Sequence, residues 1–244
     1  MDATLNFADE RTRQGRWDAR EPIDRIAMTQ AQALKFRLRF AKRGDLRLAS
    51  HHDIMRCLDR LVRRAGIPIA LSGGFSPRPR IVFALALGLG IEGLREVVDL
   101  ELTEPTTPAE LLKRLAESSP PGVDWLEAQA LEPKAPAPRP IWVDYELPIP
   151  EDRRPGAASA LESLLAQASC AVIRRRPDRR PEVEIDLRPF LLDARLTEEG
   201  RLLARLKVTP EGSIRPEELL EVLGLRDLLD DGAVLTRSWV ELET

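Results

Sequence analysis

Cysteine and histidine, the side chains that most often ligate metals, are scarce in this 244-residue chain, at two each. Cys57 stands alone in a helix-like pattern and Cys170 alone just before a strand-like one, so the sequence offers neither a disulfide framework nor a thiolate metal cluster. Both are expected to be small core residues. There is no Cys-x3-Cys-x2-Cys triplet to hold an iron–sulfur cluster and no Gly-x4-Gly-Lys phosphate loop, which excludes those two cofactor chemistries from the chain's own repertoire. Neither a cofactor nor a metal is expected. Aromatic residues make up 5%, so the core must rest on Leu, Val, Ile and Ala. No run approaches the roughly 18 to 20 uninterrupted apolar residues of a spanning helix. Met1 to Gln30 lacks the apolar stretch of a secretory leader, so a cytoplasmic protein is expected.

What is present fits a folded chain: 43% hydrophobic and 32% charged residues. The length suits two small domains. A formal charge of -3 conceals an uneven distribution. Between Lys35 and Gly90 twelve lysines and arginines face only Asp45, Asp53 and Asp59, so this segment is +9 and the remainder -12. A local field of that sign attracts phosphate or an acidic partner whatever the total.

Along the chain, residues 1–33 show no sustained period and read as a partly ordered arm. From Lys35, Phe36, Leu38 and Phe40 alternate with Lys35, Arg37 and Arg39, a half-buried strand with one cationic face. Ser50 followed by Asp53 is a capping-box start for a helix through Arg64. Its wheel puts Ile54, Leu58, Leu61 and Ala65 on one face and Arg56, Arg60, Arg63 and Arg64 on the other. Gly66 and Pro68 end it. Strands are expected over 67–71, 80–87, 96–102 and 124–131, with a helix from Thr107 to Ser118 opened by Pro108. The fold class is therefore α+β, and β-α-β-β-α-β is the order of a ferredoxin-like sandwich for residues 34–132. Four prolines make 133–140 a stiff connector. Strands over 141–147, 171–175, 183–187, 191–208 (turning at Gly200) and 233–242, with helices over 156–167 and 215–223, make a second ferredoxin-like domain of 141–244.

The loop Ser72 to Arg80 is the most specialised stretch. Gly73 and Gly74 permit close backbone approach while Pro77 and Pro79 stiffen it. Phe75 either anchors the loop or stacks on a base, and Ser76, Arg78 and Arg80 offer contacts to phosphate. The bland reading is a rigid connection with solvated arginines. His51 and His52 are neighbours, a poor metal pair, and serve either the helix start or acid–base chemistry. Arg174, Arg175, Arg176, Arg179 and Arg180, diluted by nearby acids, read as a solvated turn.

The strings Ser50-His51-His52-Asp53-Ile54-Met55-Arg56, Arg63-Arg64-Ala65-Gly66-Ile67-Pro68 and Gly74-Phe75-Ser76-Pro77-Arg78-Pro79-Arg80, followed by Gly90 and Glu96, resemble the bacterial radical SAM-linked family. Ser76 and Arg78 depart from it, standing where the family usually has Asn and His. The resemblance implies a radical SAM protein as partner, whose chemistry this chain cannot perform alone. Together with the basic segment it points to an accessory module that binds RNA, a tRNA or ribosomal RNA, through Lys35, Arg37, Arg39, Arg56, Arg63, Arg64 and the 73–80 loop. The alternatives are a metal-independent endoribonuclease using His51 or His52, and a protein-docking scaffold.

Overall fold

The computed structural model describes residues 33–73, 75–174 and 182–243. The arm expected over 1–33 lies outside them except for Ala33, as do Gly74 and the arginines 175, 176, 179 and 180.

The chain is a mixed α+β structure built on one eight-stranded sheet. The first half runs β1 (Ala33–Lys42), α1 (His51–Arg64), β2 (Ile81–Phe83), β3 (Glu92–Thr106), α2 (Pro108–Ser118) and β4 (Val123–Leu131). The second runs β5 (Pro140–Pro148), α3 (Arg154–Ala166), β6 (Ala171–Arg174), β7 (Val183–Asp186), β8 (Leu191–Leu196), β9 (Arg201–Lys207), α4 (Pro216–Val222), α5 (Asp227–Asp230) and β10 (Thr236–Leu242). The sheet order is β4-β1-β3-β10-β5-β9-β8, with β2 on the far part of β3. β3 and β10 pair in parallel at Glu92/Thr236 and Gly93/Arg237, which fuses the halves into one sheet. The remaining pairings in it are antiparallel.

The alternation in β1 sets the first core. Phe36, Leu38 and Phe40 are buried beneath Ile54, Leu58, Leu61 and Val62 of α1 and Leu111 and Leu115 of α2. Burying each such side chain is worth roughly 1.5–3 kcal/mol relative to exposure. α1 starts as its sequence dictates: Ser50 accepts from the Asp53 amide and the Asp53 carboxylate accepts from the Ser50 amide. Thr107 caps α2 without the reciprocal bond, its hydroxyl accepting from the Glu110 amide. The second core gathers Val143, Tyr145 and Leu147 of β5 with Leu161 and Leu164 of α3 and Leu219 and Leu220 of α4.

Three expectations change. The strand expected over 67–71 contributes only isolated bridges, Ile69 to Leu102 and Leu71 to Pro79. The apolar run 80–87 yields just three residues of strand, because the chain then leaves the sheet edge and Ala84, Leu85 and Leu87 pack on the second core. β6 and β7 form a separate two-stranded sheet instead of joining the main one.

Candidate functional site

The cations of the expected binding surface fall into two populations. On β1 they are engaged. Arg37 makes a fork to Asp99 at 2.9 and 3.0 Å, and Asp99 itself is 3% exposed. Arg37 also donates to the Pro136 carbonyl and Lys35 to that of Ala135. These two side chains therefore grip the proline connector, which must cross the sheet face opposite α1 to travel from edge strand β4 to central strand β5. Arg39 donates to the Arg95 and Val240 carbonyls and stacks 4.2 Å from the ring centroid of Trp239 on β10.

On α1 and the loop the cations face solvent. Arg56 and Arg63 are exposed and among the described residues make only within-helix pairs, to Asp53 at 3.7 Å and Asp59 at 3.0 Å, which contribute little. Arg64 caps the end of α2 through the Ser118 carbonyl. Residues 72–73 and 75–80 form a pinned hairpin tip. The Ser72 amide donates to the Arg78 carbonyl at 2.8 Å, and the Arg78 amide donates to the Ser72 hydroxyl at 3.0 Å. Gly73, Ser76 and Arg78 are exposed, and the Phe75 side chain stands entirely in solvent. Arg80 sits at the base of the tip, paired with Glu101 at 2.9 Å. Arg174, of the second arginine cluster, is bound to Glu218.

A second grouping lies at the junction of the halves. His51, at the first turn of α1, is half-buried with its ring edge-on to Phe83 at 5.1 Å. His52, one residue on, is exposed. His51 lines a small cleft with Lys42, Glu96, Phe40, Ile54 and Phe83. Lys42 is 1% exposed and donates to the carbonyls of Ala49 at 3.1 Å and Arg47 at 3.4 Å. Burial, reinforced by Arg237, holds its pKa below the ordinary lysine value against the pull of Glu96.

Glu96 is gripped from the other half by Arg237, whose Nε bonds Oε1 at 2.9 Å while Nη2 bonds Oε2. Arg237 also donates to the Ala86 carbonyl at 3.1 Å. Burial opposes the Arg237 charge, but Glu96 and Tyr145 outweigh it and keep the guanidinium protonated. Burial pushes the Tyr145 hydroxyl above its usual pKa. Gly93 makes room for the pair, since a Cβ there would stand 2.6 Å from the Glu96 side chain.

For His51, burial comes first in lowering the pKa, followed by repulsion from His52, Arg237 and Lys42, with Glu96 opposing. Among the described residues no group of three or more His, Cys, Asp or Glu is arranged to hold a metal ion.

Lys42 and Arg237 are absent from the residues singled out by sequence. Lys42 had a signal, because it continues the inward period of Phe36, Leu38 and Phe40. Arg237 had none, its partner lying 141 residues away.

No helix among the described residues is long and apolar enough to cross a membrane. A search among curated proteins returns no match. The bacterial family described as "Uncharacterized protein conserved in bacteria (DUF2344)" matches residues 35–216, which spans β1 through the first residue of α4 and so includes the loop, His51, Lys42 and Glu96. With most of its length covered, the chain belongs to that family.

Proposed function

We propose that this chain is an accessory RNA-binding protein that acts in the cytoplasm beside a radical SAM partner. It is read as two ferredoxin-like units set side by side. Support for that finer fold is the strand order of each half, β4-β1-β3-β2 and β10-β5-β9-β8, with antiparallel neighbours throughout. The observation that carries the RNA reading is the hairpin tip. A fully exposed Phe75 with an exposed Arg78 on a loop closed by two hydrogen bonds presents a stacking ring and a phosphate contact at low ordering cost. The partner rests on the motif resemblance alone.

The test is retention of total tRNA and ribosomal RNA by the intact chain over a salt series. The logarithm of affinity should fall with the logarithm of salt by roughly 0.7 per single-strand phosphate contacted. Phe75→Ala should weaken binding by about 1–3 kcal/mol, and Arg78→Ala should flatten the salt slope by about one contact. Absence of retention at low salt defeats the reading. Pull-down of the radical SAM protein after nuclease treatment separates direct protein docking from tethering by RNA.

The endoribonuclease alternative draws support from His51 lying with Lys42 at one cleft. RNA cleavage unchanged by the double substitution of His51 and His52 with alanine excludes it.

A further inference from the structure

We infer that the cleft between α1 and the β3–β10 junction is a binding site for a small oxyanion, a carboxylate or phosphoryl group, held by Lys42 and His51. The site is separate from the hairpin tip and does not depend on the RNA reading.

Three observations lead to it. The first is the charge balance at the cleft. Arg237 and Glu96 neutralise each other through two hydrogen bonds, which leaves Lys42 as a buried cation with no carboxylate of its own among the described residues. A buried charge without a counter-charge is expensive, and a bound anion supplies the missing one. The second is donor count. An ammonium carries three donors, and Lys42 spends two on the carbonyls of Ala49 and Arg47, the latter at a long 3.4 Å. One donor remains for the cleft that Lys42 lines. The third is shape. The cleft has a volume of about 10 Å³, room for one water-sized atom, with Phe40, Phe83 and Ile54 as its apolar wall. It opens to solvent, so one oxygen of an anion enters beside Lys42 while the body of the anion stays outside.

His51 is the reporter and the second donor. The groups facing it are His52 on its own helix, Lys42 on β1, Glu96 on β3 and Arg237 on β10. Three of these four disfavour the imidazolium, and an anion beside Lys42 reverses the balance, so binding should take up a proton at His51.

With only two histidines in the chain, each Cε1 proton resonance can be followed by NMR, and exposed His52 serves as an internal control. The intact protein is titrated with pH in chloride, then at matched ionic strength in potassium phosphate and in sodium acetate. The expected result is a His51 midpoint below the ordinary imidazole value in chloride, raised by roughly one unit or more by phosphate, acetate or both, with the exposed His52 resonance as the reference. The more effective anion identifies the preferred headgroup. Equal movement of both histidines means general screening, and no movement means no site; either overturns the inference. Lys42→Met, which fills the same volume without the charge, should abolish the His51 response while leaving RNA retention intact. Loss of RNA binding by Phe75→Ala with the His51 response retained keeps failure of one reading distinct from failure of the other. If Lys42→Met does not fold, the contrast between the two wild-type histidines still decides.

Discussion

At the scale of single residues, the buried pair Glu96–Arg237 sets the largest effect. Truncating one partner leaves the other charged with almost no solvent, so Glu96→Gln should lower stability by about 3–5 kcal/mol in urea unfolding. The double replacement Glu96→Leu with Arg237→Met removes both charges and should recover most of that loss. A penalty for the double variant as large as for the single one would show that the ion pair itself, and not the orphaned charge, matters. His51 contributes to the pH dependence near neutrality. Its folded-state pKa lies below the ordinary 6.5, so the unfolded chain binds more protons beneath that value and stability declines as pH falls through it. His51→Gln should remove that part of the slope, seen as a smaller difference in urea midpoint between about pH 5 and about pH 7.5.

At the scale of elements, α1 is fixed at its start by reciprocal bonds between Ser50 and Asp53. Ser50→Ala should destabilise by about 1 kcal/mol in the same unfolding measurement. The Ser50 hydrogen bonds hold the Asp53 carboxyl below its usual pKa, so this stabilisation is present above the ordinary carboxylate range and is lost on acidification through the folded value. Because α1 also delivers His51 to the cleft, Ser50→Ala should blunt the depression of the His51 midpoint in chloride. On β1, alternation was enough to assign the apolar and cationic faces, but not their tasks. The outward cations hold the connector and a tryptophan, and the inward lysine ends the apolar row at the cleft. Gly93 on β3 shows why spacing cannot reveal such a site: its requirement comes from the Glu96 side chain folding back over it.

At the scale of the whole molecule, the halves are joined by the β3–β10 pairing, the Glu96–Arg237 ion pair, the Arg39 contacts to Val240 and Trp239, and the packing of Leu87, Ile91 and Val97 into the second core. With β3 paired to β1 on one side and β10 on the other, the described residues should unfold in one cooperative step. Coincident tryptophan fluorescence and far-ultraviolet circular dichroism transitions check this, and separated transitions would indicate two independent units. Substituting Lys35, Arg37 and Arg39 should reduce stability more than RNA retention, since these side chains hold the connector, Asp99 and Trp239. By itself the sequence determined the periodic elements: β1, the capped α1 and α2, the alternating β5 and β9, and the stiff hairpin tip. Those follow from interactions within a few residues, where spacing and capping chemistry dominate. Only the tertiary structure decided which cations are free, that β10 enters the sheet beside β3, and that Lys42, His51, Glu96 and Arg237 meet. These are contacts between segments up to 195 positions apart, whose geometry comes from strand order and core packing and leaves no local period to read.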